Sequence, residues 1–114
     1  MATMTAKTLV APAMVTNSAA AILTNGASTT TYIRSVIIHN TDASARDAEI
    51  WLVPNLGTAG DDNRLFLQSI DADDTVFLSF EAPGLVLSTD GDMLQAAASV
   101  ASVVNVSVYG FEEA

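Results

Sequence analysis

The chain contains no cysteine, a single histidine and only four basic residues among its 114 residues. The lack of cysteine excludes disulfides, thiolate catalysis and cysteine-ligated zinc. A single histidine, His39, excludes a three-histidine or HExxH metal centre. Four basic residues against thirteen acidic ones give a formal charge of −9, which repels phosphate backbones and anionic lipid headgroups. The sequence therefore argues against nucleic-acid partners and against binding to a membrane surface.

Motifs for catalysis and cofactor binding are also missing. The six glycines are spread singly among turns, so no glycine-rich phosphate loop is formed. There is no GxSxG elbow, and His39 lies in a strand-like run beside Asn40, where a hydrogen-bonded structural histidine is the expected role. No apolar run reaches the roughly 18 to 20 residues that span a bilayer. We therefore predict no catalytic residue, no cofactor, no metal site and no membrane segment.

Apolar residues are what the chain has in abundance. Half of its residues are hydrophobic, only 15% are charged, and its mean hydropathy is +0.38. With 114 residues it is long enough for one domain with a real core and too short for two. This composition argues against a disordered chain. It also favours self-association, because an excess of apolar surface has to be covered.

Short β-rich runs separated by turn residues extend along the whole sequence. Residues 29–40, TTTYIRSVIIHN, are rich in β-branched and aromatic side chains and predict the longest central strand. Asn25-Gly26 predicts a hairpin turn, and residues 89–92, TDGD, predict another that leads into a strand at Met93–Ala98. About eight or nine strands at short, even spacing predict an all-β fold, a single antiparallel β-sandwich or jelly-roll-like domain.

The ends of the chain are expected to mediate contacts. Residues 1–16, with small apolar residues around Pro12, predict an extended N-terminal arm or a first strand, and residues 17–114 predict the β-sandwich domain. In the last strand, Val103, Val104, Val106 and Val108 are expected on both faces, so that another copy or another protein must cover the second face. The candidate interface residues are Leu9, Val10, Pro12, Met14 and Trp51.

Aromatic and acidic residues have alternative roles. A buried position is the default for Trp51, with a subunit-interface anchor as the alternative, and Phe66, Phe77 and Phe80 are expected in the core. The acidic turns offer the oxygen ligands that calcium requires, although aspartates that cap their own turn backbone are the favoured explanation. These turns contain Asp61-Asp62, Asp71 with Asp73 and Asp74, and Asp90-Gly91-Asp92.

Strand ends and turns follow one another in a characteristic order from about residue 33 to residue 113. A strand ends in HNT, the next ends in LVP, a glycine-containing loop and the turn IDADDT follow, and the chain finishes with GLVLSTDGDMLQAAAS and VNVSVYGFE. In this order the chain resembles small β-sandwich virion proteins of tailed bacteriophages. The motifs are structural and contain no catalytic signature.

The resemblance implies a non-enzymatic structural role in the virion. Similar proteins act as capsid decoration or cement proteins, which stabilise the head by contacts with the major capsid protein. A neck, tail or fibre component is the alternative, including a host-surface or glycan-binding module. The implied partners are the major capsid protein or another virion protein, together with further copies of the chain in a homo-oligomer. A trimer on local threefold axes of a capsid is one arrangement that would suit this role.

Overall fold

β-Strands and the turns that connect them make up the fold. The computed structural model describes residues 3–114, in which nine strands form two antiparallel sheets. The all-β prediction is confirmed, and no helix that could cross a membrane occurs in this part of the chain. The strands are β1 (Met4–Met14), β2 (Ala20–Thr24), β3 (Thr30–Asn40), β4 (Arg46–Val53), β5 (Arg64–Ile70), β6 (Thr75–Ser79), β7 (Leu85–Leu87), β8 (Met93–Ala98) and β9 (Val104–Glu113).

The order of the strands is that of a jelly roll. Sheet A has the order β1-β9-β3-β6, with the short β7 also paired to β3, and sheet B has the order β2-β8-β4-β5. Strands β6 and β7 pair with successive parts of β3, so they act as one interrupted strand. Two four-stranded antiparallel sheets with these connections correspond to the eight strands of a jelly roll. The prediction of a single β-sandwich or jelly-roll-like domain is confirmed.

The two turns predicted to form hairpins do not join paired strands, so this prediction is wrong. Strand β2 pairs with β8 in sheet B, whereas β3 lies in sheet A, so the turn at Asn25 carries the chain from one sheet to the other. Residues 89–92 likewise connect β7 of sheet A to β8 of sheet B. The turn residues do reverse the chain. However, β3 pairs along its whole length of 11 residues with β9, whereas a hairpin with β2 would pair only five residues. The longer ladder satisfies more backbone hydrogen bonds.

The core lies between the two sheets and is built from aliphatic side chains. In β3, Ile33, Val36 and Ile38 point inward, and a bulge between Ile33 and Ser35 shifts the alternation by one residue. Gly110 of β9 lies opposite this bulge, where an added Cβ would collide with the carbonyl oxygen of Tyr32. Sheet B contributes Ile50, Ile70, Leu94, Ala96 and Ala98 to the same core.

The valines of the last strand all lie on one face, which corrects the expectation that they occupy two. Val104, Val106 and Val108 are two residues apart and fully buried in the core, because successive side chains of a strand alternate between faces. Val103 precedes the strand and packs against the same core. The outward positions between the valines are taken by Asn105 and Ser107.

The N-terminal segment is part of sheet A. Of the two alternatives for residues 1–16, an arm or a first strand, the structure has a strand at Met4–Met14, and residues 1 and 2 lie outside the described residues. Strand β1 pairs with β9 from Met4 opposite Glu113 to Met14 opposite Asn105. Its register is irregular between Thr8 and Ala13, close to Pro12, which cannot donate to a ladder. One edge of β1 remains free.

A buried asparagine closes one end of the sandwich, where β2, β3, β7 and β8 meet. Asn25 donates from Nδ2 to the carbonyl oxygens of Thr29 at 2.8 Å and Thr89 at 3.1 Å, and its Oδ1 accepts from the Thr31 hydroxyl at 2.8 Å. Its backbone carbonyl accepts from the amide of Gly91, which has a φ of 91°. Asn25 thus links the β2–β3 connection to the β7–β8 connection by hydrogen bonds, and both connections cross between the sheets.

A second buried asparagine closes the opposite end. Asn40 has no exposed surface, and its Nδ2 lies 2.9 Å from the carbonyl oxygen of Ser44, 3.0 Å from that of Ile70 and 3.2 Å from that of Asp71. Its Oδ1 accepts from the amide of Asp42 at 3.0 Å. These hydrogen bonds hold the β3–β4 loop against the β5–β6 loop.

Candidate interaction surfaces

The solvent-facing side of sheet A is the largest candidate surface. Because Ile33, Val36 and Ile38 of β3 are buried, Tyr32 and Ile37 face outward. Residues opposite each other on paired strands share a face, which extends this surface across the sheet. We define the outer face of sheet A by Met4, Met14, Tyr32, Ser35, Ile37, Phe77, Ser79, Val86, Asn105, Ser107, Tyr109, Phe111 and Glu113.

Apolar and aromatic side chains dominate the outer face of sheet A. Tyr32 lies between Phe111 on β9 and Val86 on β7, and Ile37 lies beside Phe77 on β6. Four of the seven aromatic residues of the chain are on this face. The side chains most exposed there are Phe77 at 69%, Met4 at 51%, Met14 at 48% and Val86 at 38%. Water therefore contacts two apolar patches, one around Tyr32 and one around Ile37, with Tyr109, Ser35 and Ser79 in the row between them.

Charge is nearly absent from the outer face of sheet A. Of the thirteen acidic residues, Glu113 lies on it, where its Oε1 accepts a hydrogen bond of 3.2 Å from the Tyr32 hydroxyl, and Asp73 lies at its end beside His39. Burial raises the pKa of the Tyr32 phenol, and the nearby Glu113 carboxylate raises it further. His39 lies at one end of the face, and Arg34 at its border donates to the carbonyl oxygen of Phe80 at 3.1 Å. The strongly negative charge of the chain is therefore carried by other surfaces.

Phe77 was missed by the sequence-based interpretation. All three phenylalanines were expected in the core. Phe66 and Phe80 do pack against it, whereas Phe77 is exposed. Strand β6 alternates, with Val76 and Leu78 inward and Phe77 outward. Since all three residues are apolar, no polar residue marked the outward position. The alternation itself was the available signal.

Trp51 lies on the outer side of sheet B and is covered by its own chain. It is 7% exposed and forms a small cluster with Val53 and Ala97, against which Ala59 and Met93 pack. Ala59 belongs to the β4–β5 connection, which folds over this side of the sheet. The structure thus has the buried tryptophan that was the default expectation, and contact with another subunit would require this connection to move.

The other candidate interface residues occupy different surroundings on β1. Leu9 and Val10 are partly buried and pack against the core. Pro12 is exposed on the edge strand, and Met14 is exposed on the outer face of sheet A. The structure therefore places Pro12 and Met14 where a partner can reach them, whereas Leu9 and Val10 already contact their own domain.

His39 has hydrogen-bonding neighbours at the end of the outer face of sheet A. Its Nδ1 is 2.7 Å from Oγ1 of Thr75, and its Nε2 is 3.3 Å from Oδ1 of Asp73. His39 and Thr75 are paired across β3 and β6, so strand register alone explains their contact. A hydroxyl nucleophile would also need oxyanion donors and a recess for its substrate. Asp73 is 85% exposed in a turn, so this group is described most simply as a hydrogen-bonded strand histidine.

A small cleft lies at the opposite end of the sandwich. It encloses about 180 Å³ and is lined by Leu52, Val53, Pro54, Val86 and Asp92. Both carboxylate oxygens of Asp92 are engaged, one by the amide of Asn55 at 3.1 Å and the other by the amide of Thr89 at 3.0 Å. Ligand sites usually enclose roughly 300 to 1,000 Å³, so this cleft is too small for most metabolites.

Two aspartates of the acidic turns, Asp74 and Asp92, use their carboxylates to accept hydrogen bonds from backbone amides, whereas Asp61 and Asp73 contact the side chains of Arg64 and His39. Asp74 accepts from the amide of Thr75 at 2.9 Å, and Asp42 accepts from the amide of Ala43 at 2.7 Å and from Nε of Arg46 at 2.7 Å. The hydrogen bond from Arg46, followed by that from Ala43, lowers the pKa of Asp42. Within residues 3–114, no three acidic or histidine side chains are grouped to hold a metal ion.

In comparisons with known proteins, no family model matches the chain, and no curated protein or solved structure matches it significantly. The surfaces of the molecule and the resemblance in its sequence are therefore what bears on its function. Among those surfaces, the outer face of sheet A combines the greatest apolar exposure with the least charge.

Proposed function

We propose that this chain is a non-enzymatic structural protein of a tailed-bacteriophage virion. Its most direct role is that of a capsid decoration or cement protein, which acts as a homo-oligomer and contacts the major capsid protein. The observation that carries the proposal is the apolar, nearly uncharged outer face of sheet A in a chain with a formal charge of −9. Such a face is typical of proteins that function in contact with other proteins.

Two further observations support a structural role. Jelly rolls occur in viral capsid and lectin domains, although a fold by itself assigns no function. The acidic residues are concentrated in turns at the ends of the sandwich, including Asp71, Asp74 and Asp90. There they would face solvent and keep a densely repeated shell from adhering to nucleic acid or to other particles.

The free edge of β1 is the surface that we assign to the capsid contact. An edge strand exposes unpaired backbone groups that a neighbouring chain can bind. Pro12 is exposed there, in the irregular part of the strand. We expect Pro12→Asp to lower the occupancy of the protein on particles, because it places a charge at the contact. Leu56→Asp is the matched control, since Leu56 is 94% exposed in the β4–β5 connection, away from β1.

The number of copies per virion tests the proposal. Quantitative mass spectrometry of purified particles of the phage that encodes the chain should find it in amounts comparable to the major capsid protein. A few copies per particle, with antibody labelling at the neck or tail, would favour the alternative role as a neck, tail or fibre component. Absence from the particles would refute both roles in the virion.

A glycan-binding fibre module is a second candidate, favoured by one observation. The exposed ring of Phe77 is a surface on which a sugar ring could stack, and jelly rolls include lectin domains. A glycan array separates the two candidates. Binding that is lost in Phe77→Ala would support the fibre module, whereas absence of binding together with high copy number on the head would support decoration.

A further inference from the structure

The outer face of sheet A has about the area that a stable protein contact requires. Strands lie about 4.8 Å apart and rise about 3.3 Å per residue, so four strands of about ten residues cover roughly 600 Å². Two such faces in contact bury roughly 1,200 Å², which is the lower end of the range for specific interfaces. Four aromatic side chains are included, and aromatic residues are enriched in interfaces of this kind.

The distribution of charge favours a second copy of this chain as the occupant. Two copies that each carry a formal charge of −9 repel each other wherever their acidic turns meet. Within the strands of the outer face of sheet A the carboxylate is that of Glu113, which is bonded to Tyr32, and the Asp73 carboxylate lies at one end of the face beside His39. This face therefore allows two copies to meet without bringing acidic clusters together.

The shape of the surface fits the same occupant. Two sheets pack face to face about 10 Å apart when their facing side chains are apolar, as they do inside this molecule. The outer face of sheet A also presents apolar side chains, among them Phe77, Val86 and Phe111, against which a second sheet could pack. A second copy brings an identical apolar face.

We propose that a second copy of this chain covers the outer face of sheet A, with Tyr32, Phe77, Val86 and Phe111 forming the contact between copies. The inference rests on the homo-oligomer in the proposed function and adds the surface through which it forms. Hydrophobic burial drives the contact, so it should persist at high salt, whereas a contact between charged surfaces would weaken.

Light scattering of the isolated protein tests the proposal. We expect an assembly of at least two copies of the 11.8 kDa chain. Phe77→Asp should weaken self-association at least tenfold, because it buries a charge in the contact, and circular dichroism should show a retained β fold, since Phe77 is 69% exposed. Leu67→Asp is the matched control: Leu67 is 50% exposed on β5 of sheet B, and its variant should associate normally.

Methionine oxidation provides a second measurement that needs no substitution. Met4 and Met14 lie on the outer face of sheet A, so peroxide should oxidise them more slowly as the protein is concentrated and the face becomes covered. Met93 packs against the Trp51 cluster of sheet B and should oxidise at a rate that does not depend on concentration.

Several results would overturn the proposal. These are a monomer at every soluble concentration, an oligomer unaffected by Phe77→Asp, an oligomer disrupted by Leu67→Asp, or oxidation of Met4 and Met14 that does not depend on concentration. A monomer that still attaches to phage particles would refute this contact and leave the proposed function in place. An oligomer that depends on Phe77 but is absent from virions would support the contact and refute the proposed function.

Discussion

Replacement of Asn40 by alanine should destabilise the sandwich strongly, because this one side chain links the β3–β4 loop to the β5–β6 loop. It is fully buried, and it contacts the carbonyl oxygens of Ser44, Ile70 and Asp71 and the amide of Asp42. Alanine removes the donor and the acceptor together. The backbone groups left behind are held by the strands around them, so they cannot all turn to solvent.

The expected loss follows from the number of groups left without a partner. Of the four backbone groups that lose their partner, the Ile70 carbonyl bond is buried and the other three are part-buried. A buried group that loses its partner costs about 1 to 3 kcal/mol and a part-buried group costs less, so the free energy of unfolding should fall by about 3 kcal/mol. Unfolding entropy is about 2.1 cal/mol/K per residue near the transition, or about 0.24 kcal/mol/K for this chain. Asn40→Ala should therefore lower the melting temperature by about 12 °C.

Thermal unfolding followed by circular dichroism measures this difference. Asn17→Ala is the control, because Asn17 is exposed in the bend between β1 and β2, and its variant should melt within about 2 °C of the wild type. Both variants should be compared at one low protein concentration, so that self-association contributes equally. A decrease below about 4 °C for Asn40→Ala would show that these hydrogen bonds do not hold the end of the sandwich together.

Three further substitutions test other parts of the structure. Gly110→Ala should lower the free energy of unfolding by roughly 1 to 3 kcal/mol in urea denaturation, because the new Cβ collides with the Tyr32 carbonyl oxygen, and a neutral result would contradict the bulge geometry. Trp51→Ala should cost about 3 kcal/mol through the cavity it leaves, with Leu67→Ala as the exposed control costing less than about 1 kcal/mol. The pKa of Asp42 is lowered from its usual 3.8, so its contribution is present above that pH and is lost as the pH falls through the lower folded value. Asp42→Asn should therefore flatten the dependence of melting temperature on pH below about pH 4, and an unchanged slope would show that the bond to Arg46 adds no stability.

Individual strands were predictable because their signals are local. The strand expected at Met93–Ala98 has these bounds in the structure, since the run of strand-forming residues follows turn residues. The connections were not predictable in the same way. Asn25 and residues 89–92 reverse the chain, but the sheet that the next strand joins depends on pairing with distant strands.

The placement of the valines of the last strand on two faces was predicted incorrectly. The sequence indicated a second apolar face and assigned it to the valines of β9, which in fact all point into the core. The exposed face comes from Tyr32, Phe77 and Phe111, residues that lie far apart in the sequence and meet only through strand pairing. No local pattern contains that information, because it depends on the order of strands in sheet A.

The pairing of β1 with β9 also determines when this protein can fold. Strand β1, the first strand of sheet A along the described residues, pairs with β9, the last one, since Met4 lies opposite Glu113. Strand β9 also lies at the centre of sheet A, between β1 and β3. Sheet A can therefore close only after β9 has been synthesised, and β1 has no ladder partner among the described strands until then. Folding should then be a single late event, and a chain that stops before Val104 should gain no stable sheet A.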